Sequence, residues 1–256
     1  MIIIKKYFKY IGLLGICLLS FYYTERVALY VKNKNPIMQS IKNVSKSYST
    51  ESINCSIIED TYIIPGYNGK YVNLDKSFYN MVTTEYNEEL LVFNQVKPNI
   101  SLEDNKDKII IRGNHNKQAV SLLFEDINSL SKYLSDNNYL VNVLIDKETY
   151  TDKYELINNS KQLDQYKRID NKLNNNLCYT SDETIPKLCK NKYVFTHSLI
   201  INHSNLSKQI NTISSGDIIL IQNTISIEEL NFVINQINYK DLKIIPISKL
   251  ISETST

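Results

Sequence analysis

From Lys108 onward the apolar residues come in short runs separated by helical patterns. Lys108-Ile-Ile-Ile-Arg112, Val120-Ser-Leu-Leu-Phe124 and Tyr139-Leu-Val-Asn-Val-Leu-Ile145 read as strands. So do Asn176-Leu-Cys-Tyr179, Tyr193-Val-Phe-Thr196, Asp217-Ile-Ile-Leu-Ile221 and Lys243-Ile-Ile-Pro-Ile247. Nearly continuous apolar runs of this length are what strands buried on both faces require. Between the strands, Ile127, Leu130 and Leu134 fall at helical spacing. Ile227, Leu230, Ile234 and Ile237 do the same behind Ser226 and Glu229, which are spaced for a capping box. Thr180 and Glu183 repeat that spacing and predict a short helix, and Leu250 and Ile251 fall on a terminal one. Alternation of this kind predicts an α/β fold with a mainly parallel sheet, open or barrel-like.

The chain before Lys108 is built differently. Lys5, Lys6 and Lys9 precede an uncharged run from Tyr10 to Thr24, which Val27–Val31 extends past Glu25 and Arg26. Residues 1–31 are therefore expected to form a cytoplasmic tail and a single membrane-spanning signal-anchor, with the lysines holding the N-terminus inside. A cleaved signal peptide is the alternative, although no Ala-x-Ala-like site follows the run. Leu14-Gly-Ile-Cys17 imitates a lipoprotein box with a large residue before the Cys. Residues 32–60 are polar and read as a stalk, with a helix around Ile37–Lys46. Residues 61–107 read as a strand-helix-strand leader: a strand closed by Pro65-Gly66, an amphipathic helix over 74–84, and a strand at Leu90-Leu-Val-Phe93.

Composition narrows the function classes. Lys and Arg number 29 against 27 Asp and Glu, with no basic stripe, so no nucleic-acid partner is expected. Four Cys in 256 residues exclude a disulfide-dense scaffold. Tyr is abundant at 19 and Trp is absent, and that absence bears on the chemistry below.

Candidate chemistry is sparse. The three His, at positions 115, 197 and 203, offer no pair at the i, i+4 spacing that aims two imidazoles at one metal. On an extended strand His197 and His203 would lie roughly 20 Å apart. Glu125-Asp126 follows Phe124 at the carboxyl end of a buried strand, where active sites of parallel α/β folds collect. The two acids could act as base and metal ligand, or Asp126 could cap a helix starting at Ile127. Cys178 and Cys189 could be bridged in an exported domain or remain free buried thiols. Ser198 beside His197 lacks the surroundings of a triad, and Gly66, Gly69 and Gly113 make no phosphate loop.

Three segments together resemble the polysaccharide deacetylase (NodB homology) family. Ile110–Asn114 followed by Gln118-Ala-Val-Ser-Leu-Leu-Phe-Glu-Asp126 is similar to the family's opening strand, which ends in Thr-Phe-Asp-Asp-Gly. Ser215-Gly-Asp-Ile-Ile-Leu-Ile-Gln222 resembles its Gly-x-Ile-x-Leu-x-His strand, and Asp241-Leu-Lys-Ile-Ile-Pro-Ile-Ser-Lys-Leu250 its closing signature. The resemblance covers residues 108–256 and implies a truncated, distorted (β/α) barrel, with 61–107 as a leader of membrane-anchored members.

The same resemblance denies the family's usual activity. The catalytic Asp position falls on Glu125, the metal Asp on Asp126, and the Gly after them on Ile127. The His-x-x-x-His metal pair has no counterpart, the Arg-Pro-Pro-Tyr motif falls near Leu177–Thr180 without Arg or Pro, and the Trp motif cannot exist. The final His falls on Gln222, which cannot transfer a proton in that role. The expectation is a catalytically inactive, membrane-anchored, extracytoplasmic deacetylase-like protein of the bacterial cell envelope, binding cell-wall glycan or an envelope protein. Glu125, Asp126 and Gln222 are its vestigial site, with no cofactor expected. The alternative is an active deacetylase or hydrolase that uses Glu125 and Asp126 with a divalent metal such as zinc, Asp126 being the weak candidate ligand.

Overall fold

The computed structural model describes residues 2–127, 129–148, 151–182 and 184–254. By compactness the chain forms two units, residues 1–50 with 70–95 and residues 51–69 with 96–256. The polar stretch 32–60 and the leader 61–107 are thus each divided between the units.

The first unit begins with a long helix, α1 (Ile2–Lys34), and a second, α2 (Pro36–Tyr48). Within α1, Gly12–Lys34 is long and apolar enough to cross a membrane, a test that a signal sequence also passes. The helix runs three residues beyond the expected boundary because nothing in Lys32-Asn33-Lys34 breaks it. Asn35 then stops it and starts α2, its side chain accepting the Ile37 amide at 2.9 Å ahead of Pro36 in the first turn. Met38 and Ile41 of α2 are buried with Val72, Phe78, Met81 and Leu91, so this part of the expected polar stalk carries a small core. Helix α3 (Leu74–Met81) supplies Phe78 and Met81 and is capped by Asn73, which accepts the Lys76 amide at 2.9 Å. The strand expected at Leu90–Phe93 is a turn of 3-10 helix at Glu88–Leu90 followed by a strand at Phe93–Val96.

The second unit is the α/β barrel-like domain. Its opening strands are β1 (Ser56–Ile58) and β2 (Tyr62–Ile64). The others are β3 (Ile109–Ile110), β4 (Ala119–Phe124), β5 (Asn142–Ile145), β6 (Glu155–Asn158), β7 (Leu177–Tyr179), β8 (Tyr193–Phe195), β9 (Leu199–Ile201), β10 (Ile218–Ile221) and β11 (Lys243–Ile244). One sheet has the order β1-β2-β3-β8-β7, and the other β9-β10-β4-β5-β6 with β11 also on β4. Every pairing but β1 with β2 is parallel. The segment Tyr193–Ile201 belongs to both sheets: its first half pairs with β7 and β3, its second half with β10. That one segment bends the two sheets into a distorted barrel wall.

Strand β4 shows why the sequence chooses this architecture. All six residues are buried. Val120, Leu122 and Phe124 point to the outer layer, where they join Leu230, Val233, Ile234 and Ile237. Ala119 and Leu123 point inward to Ile110, Phe195, Ile218 and Leu220. Period-two alternation with apolar residues on both faces needs cover on both sides, which only helices outside and strands inside supply. The outer helices are α4 (Ser131–Asp136), α5 (Leu163–Leu173), the short α6 (Leu206–Gln209) and α7 (Ile227–Tyr239), while Ile247 and Leu250 of α8 (Ile247–Leu250) pack into the inner layer. The α7 start is the expected capping box: Ser226 Oγ accepts the Glu229 amide and Glu229 accepts the Ser226 amide.

Three expectations are corrected. The helix after β4 starts at Ser131, not at Ile127, with Leu130 at its cap position and no side-chain cap. Asp126 is therefore not its cap. Among the described residues between β7 and β8 the helical element is a 3-10 turn, Lys187–Cys189, entered from Pro186, and Glu183 lies outside the described residues. Ile247 belongs to α8 and not to the last strand, because Pro246 donates no ladder hydrogen bond and opens the helix instead.

The halves of the wall meet at a compact junction. Arg112, just past β3, pairs with Asp217, just before β10, at 3.2 Å. Asp217 also accepts from the Ser214 amide at 2.7 Å, Ser214 Oγ at 3.1 Å and Ser198 Oγ at 3.0 Å. Gly216 has φ +92°, and a Cβ there would lie 2.4 Å from the Gly113 carbonyl oxygen, so only glycine fits the crossing.

Candidate functional site

Three neighbouring parallel strands end level with one another and place three polar residues in a row. Ile201 is opposite Ile221, and Ile221 is opposite Phe124. The next residues are Asn202, Gln222 and Glu125. Asn202 Nδ2 donates to Gln222 Oε1 at 2.9 Å, and Gln222 Nε2 donates to Glu125 Oε1 at 3.2 Å. Each amide therefore has a fixed orientation, set by a carboxylate at one end of the chain. Asn202 is fixed in turn by the Asn205 amide and Ser204 Oγ, both donating to its Oδ1.

Beside this row stand Tyr179, the last residue of β7, and His197, in the link between β8 and β9. The Tyr179 hydroxyl and His197 Nδ1 are 2.9 Å apart. Burial pushes the Tyr179 hydroxyl up to about 12, and the charges of Glu125 and Asp182 add to the rise. Burial holds the His197 imidazole below its ordinary value, and Glu125 opposes part of that shift. At neutral pH the pair is thus a neutral imidazole and a neutral phenol facing one carboxylate.

A charge-removal experiment checks this geometry. Glu125→Gln should lower both titrations, because the carboxylate stabilises imidazolium and disfavours tyrosinate. The His197 ring resonances and the ultraviolet Tyr titration read the two shifts. A fall in one without the other would show that Glu125 does not face both.

A cleft of about 310 Å³ adjoins Tyr179, lined by Asn158, Ser160, Tyr166, Thr180 and Asp182 among others. It lies past the carboxyl ends of β6 and β7, where ligands of parallel α/β folds collect. Cys178 and Cys189 form part of its wall and are disulfide-bonded, with Cα atoms 5.6 Å apart. Asn158 is buried and donates to the Tyr166 carbonyl at 2.8 Å, which holds the cleft floor against α5.

The sequence-derived residues separate on this map. Glu125 and Gln222 are brought together. Asp126 is exposed in the turn after β4, outside the row. His203 is exposed and sits on Glu229 at 2.6 Å, while His197 sits on Tyr179, so the two do not share a site. Asn202, Tyr179 and His197 belong to the site although no spacing pointed to them. Their one signal was position, each lying within two residues of a strand's carboxyl end.

The residues do not fit a deacetylase metal centre. Among the described residues no three His, Cys, Asp or Glu side chains converge as ligands. Glu125 is the one carboxylate in the row, its Oε1 takes the Gln222 amide, and His197 Nδ1 is engaged by Tyr179.

The architecture is that of the polysaccharide deacetylases of the CE4 family, in a divergent form. No family model matches the chain. A crystal structure of a CE4 family pseudoenzyme from Bacillus anthracis superposes with a TM-score of 0.65 at 19% identity, covering 87% of this chain and 97% of that one. A mutant of that pseudoenzyme, described as having restored enzymatic activity, superposes at 0.59 and 18% identity, covering 87% and 100%. In sequence, 92 residues are 33% identical to the uncharacterized protein YlxY of Bacillus subtilis, which is 36% of this chain and 29% of that relative's length.

Proposed function

We propose that this chain is a catalytically inactive deacetylase-like protein of the cell envelope, held at the membrane by α1, that binds glycan in the cleft beside Tyr179. The observation that carries the reading is the Asn202–Gln222–Glu125 row. It stands at the carboxyl ends of three parallel strands, where active sites of parallel α/β folds collect, and it is internally satisfied by amides that neither transfer protons nor ligate zinc well. A polar cleft with an aromatic ring at its edge suits a sugar polymer, whose hydroxyls need many donors and acceptors and whose ring faces stack on aromatics. The superposition on a CE4 family pseudoenzyme supports the inactive reading.

The test uses the full chain in mild detergent. It should release no acetate from acetylated chitin oligomers or peptidoglycan, with or without added zinc, and should co-sediment with peptidoglycan. Tyr179→Ala should weaken that binding. Acetate release that depends on a divalent metal and disappears with Asp126→Ala would instead establish the active-enzyme reading.

A further inference from the structure

Helix α3 carries a side on which two apolar groups, Tyr79 and Val82, remain exposed. Asp75, Tyr79 and Val82 recur at i, i+4 and i+7 and share that side, Val82 keeping helical backbone angles as the cap residue. Tyr79 is 67% exposed and Val82 45%. The opposite side buries Phe78 and Met81. An isolated exposed apolar residue is ordinary, but this pair has a particular neighbour. Lys32, in the last turn of α1, pairs with Asp75 at 2.8 Å, and its ammonium lies 4.6 Å from the centre of the Tyr79 ring.

That neighbour sets the depth. Gly12–Lys34 has 23 residues. At about 1.5 Å per residue such a helix slightly exceeds a hydrocarbon core of roughly 30 Å. Lys32 then falls at the headgroup layer, where a lysine ammonium belongs. A ring in contact with that ammonium lies at the same level. Tyr is also one of the two residues enriched in that layer, having an apolar body and a polar tip. On α1 itself Leu29, one turn before Lys32 on the same side, is 45% exposed, so the exposed apolar groups of α3 adjoin an exposed apolar side of the span.

We propose that α3 is a second membrane contact, with Tyr79 and Val82 entering the headgroup layer of the leaflet from which α1 emerges. The partner is the lipid surface, and the contact rests on the reading of α1 as a retained anchor. Because the chain has no Trp, one introduced Trp is the sole indole reporter. Tyr79→Trp and, separately, Phe21→Trp near the middle of the span are placed in the full chain in phospholipid vesicles. Trp at 79 should emit to the blue of free N-acetyltryptophanamide. It should lose more emission to lipids brominated near the headgroup than to lipids brominated deep in the chain. Trp at 21 should show the reverse depth preference. Quenching at 21 with water-like, unquenched emission at 79 overturns the α3 contact and leaves the anchor standing. Failure of quenching at both positions overturns the anchor and the contact with it.

Discussion

Asp217→Ala should be among the most damaging single substitutions in the barrel domain, lowering its unfolding free energy by about 3 kcal/mol. Removing one partner of a largely buried pair strands the other, at a cost of about 3–5 kcal/mol. The Arg112 side chain is 32% exposed and can recover some hydration, which places the estimate at the low end. The Ser198 and Ser214 hydroxyls and the Ser214 amide also lose their acceptor. The location magnifies the effect, because the junction joins the end of β3 to the start of β10 along the one segment shared by both sheets. Urea unfolding of the full chain in mild detergent measures the loss. Replacing Arg112 and Asp217 together by Leu should cost less than the sum of the separate Leu substitutions, since no charge is then stranded. Simple additivity would mean that the pair contributes nothing as a pair.

Loss of the Cys178–Cys189 bond should cost a similar amount. The two residues are 11 apart in sequence. Closing a loop of that size in the unfolded chain is worth about 3 kcal/mol on the chain-entropy model. Replacing both Cys by Ala should therefore lower the urea midpoint with little change in slope. The wall of the cleft should loosen at the same time, so the proposed peptidoglycan binding, measured by co-sedimentation, should weaken even below the unfolding transition. Both sulfur-bearing residues are buried, so a reductant should act on the unmodified protein slowly, at the rate at which the wall opens. An unchanged midpoint in the double variant would mean that the bridge is absent in the folded protein.

Legibility followed apolar density. Strands β4 and β10 announced themselves because both faces are covered, and every residue had to be apolar or small. Helix α7 was readable from Ser226 and Glu229 before any packing was considered. Strand β6 and helix α5 were not. Glu155-Leu-Ile-Asn158 has only two apolar residues, and its buried end is an Asn satisfied by a carbonyl of α5, an arrangement that exists only after folding. In α5, Leu163, Tyr166, Ile169 and Leu173 keep helical spacing, but Asp, Lys, Arg and Asn fill the intervals. Asp126 misled for a local reason: an acid before an apolar helical pattern resembles a cap, yet the helix starts only at Ser131, with Leu130 at its cap position. Glu125 and Gln222 were joined in one site only through the family resemblance, and their adjacency comes from the pairing of β4 with β10. Tyr179 and His197 meet only because Tyr193–Ile201 changes sheets between them, and no local pattern encodes that change.

Strands β6 and β7 border each other without a shared ladder among the described residues, and the Asn175 amide donating to the Leu156 carbonyl at 2.8 Å bridges them by a side chain. Within each sheet the strands are joined by backbone ladders, so separating two of them breaks several bonds cooperatively. Along this border separating the two strands breaks side-chain contacts rather than a ladder, so amide exchange in β6 and β7 is expected to run ahead of that in β4 and β10. The domain thus has a built-in zipper line, with the cleft at one end of it and a second cavity of about 380 Å³, lined by Leu177, Tyr193 and Glu253 among others, at the other.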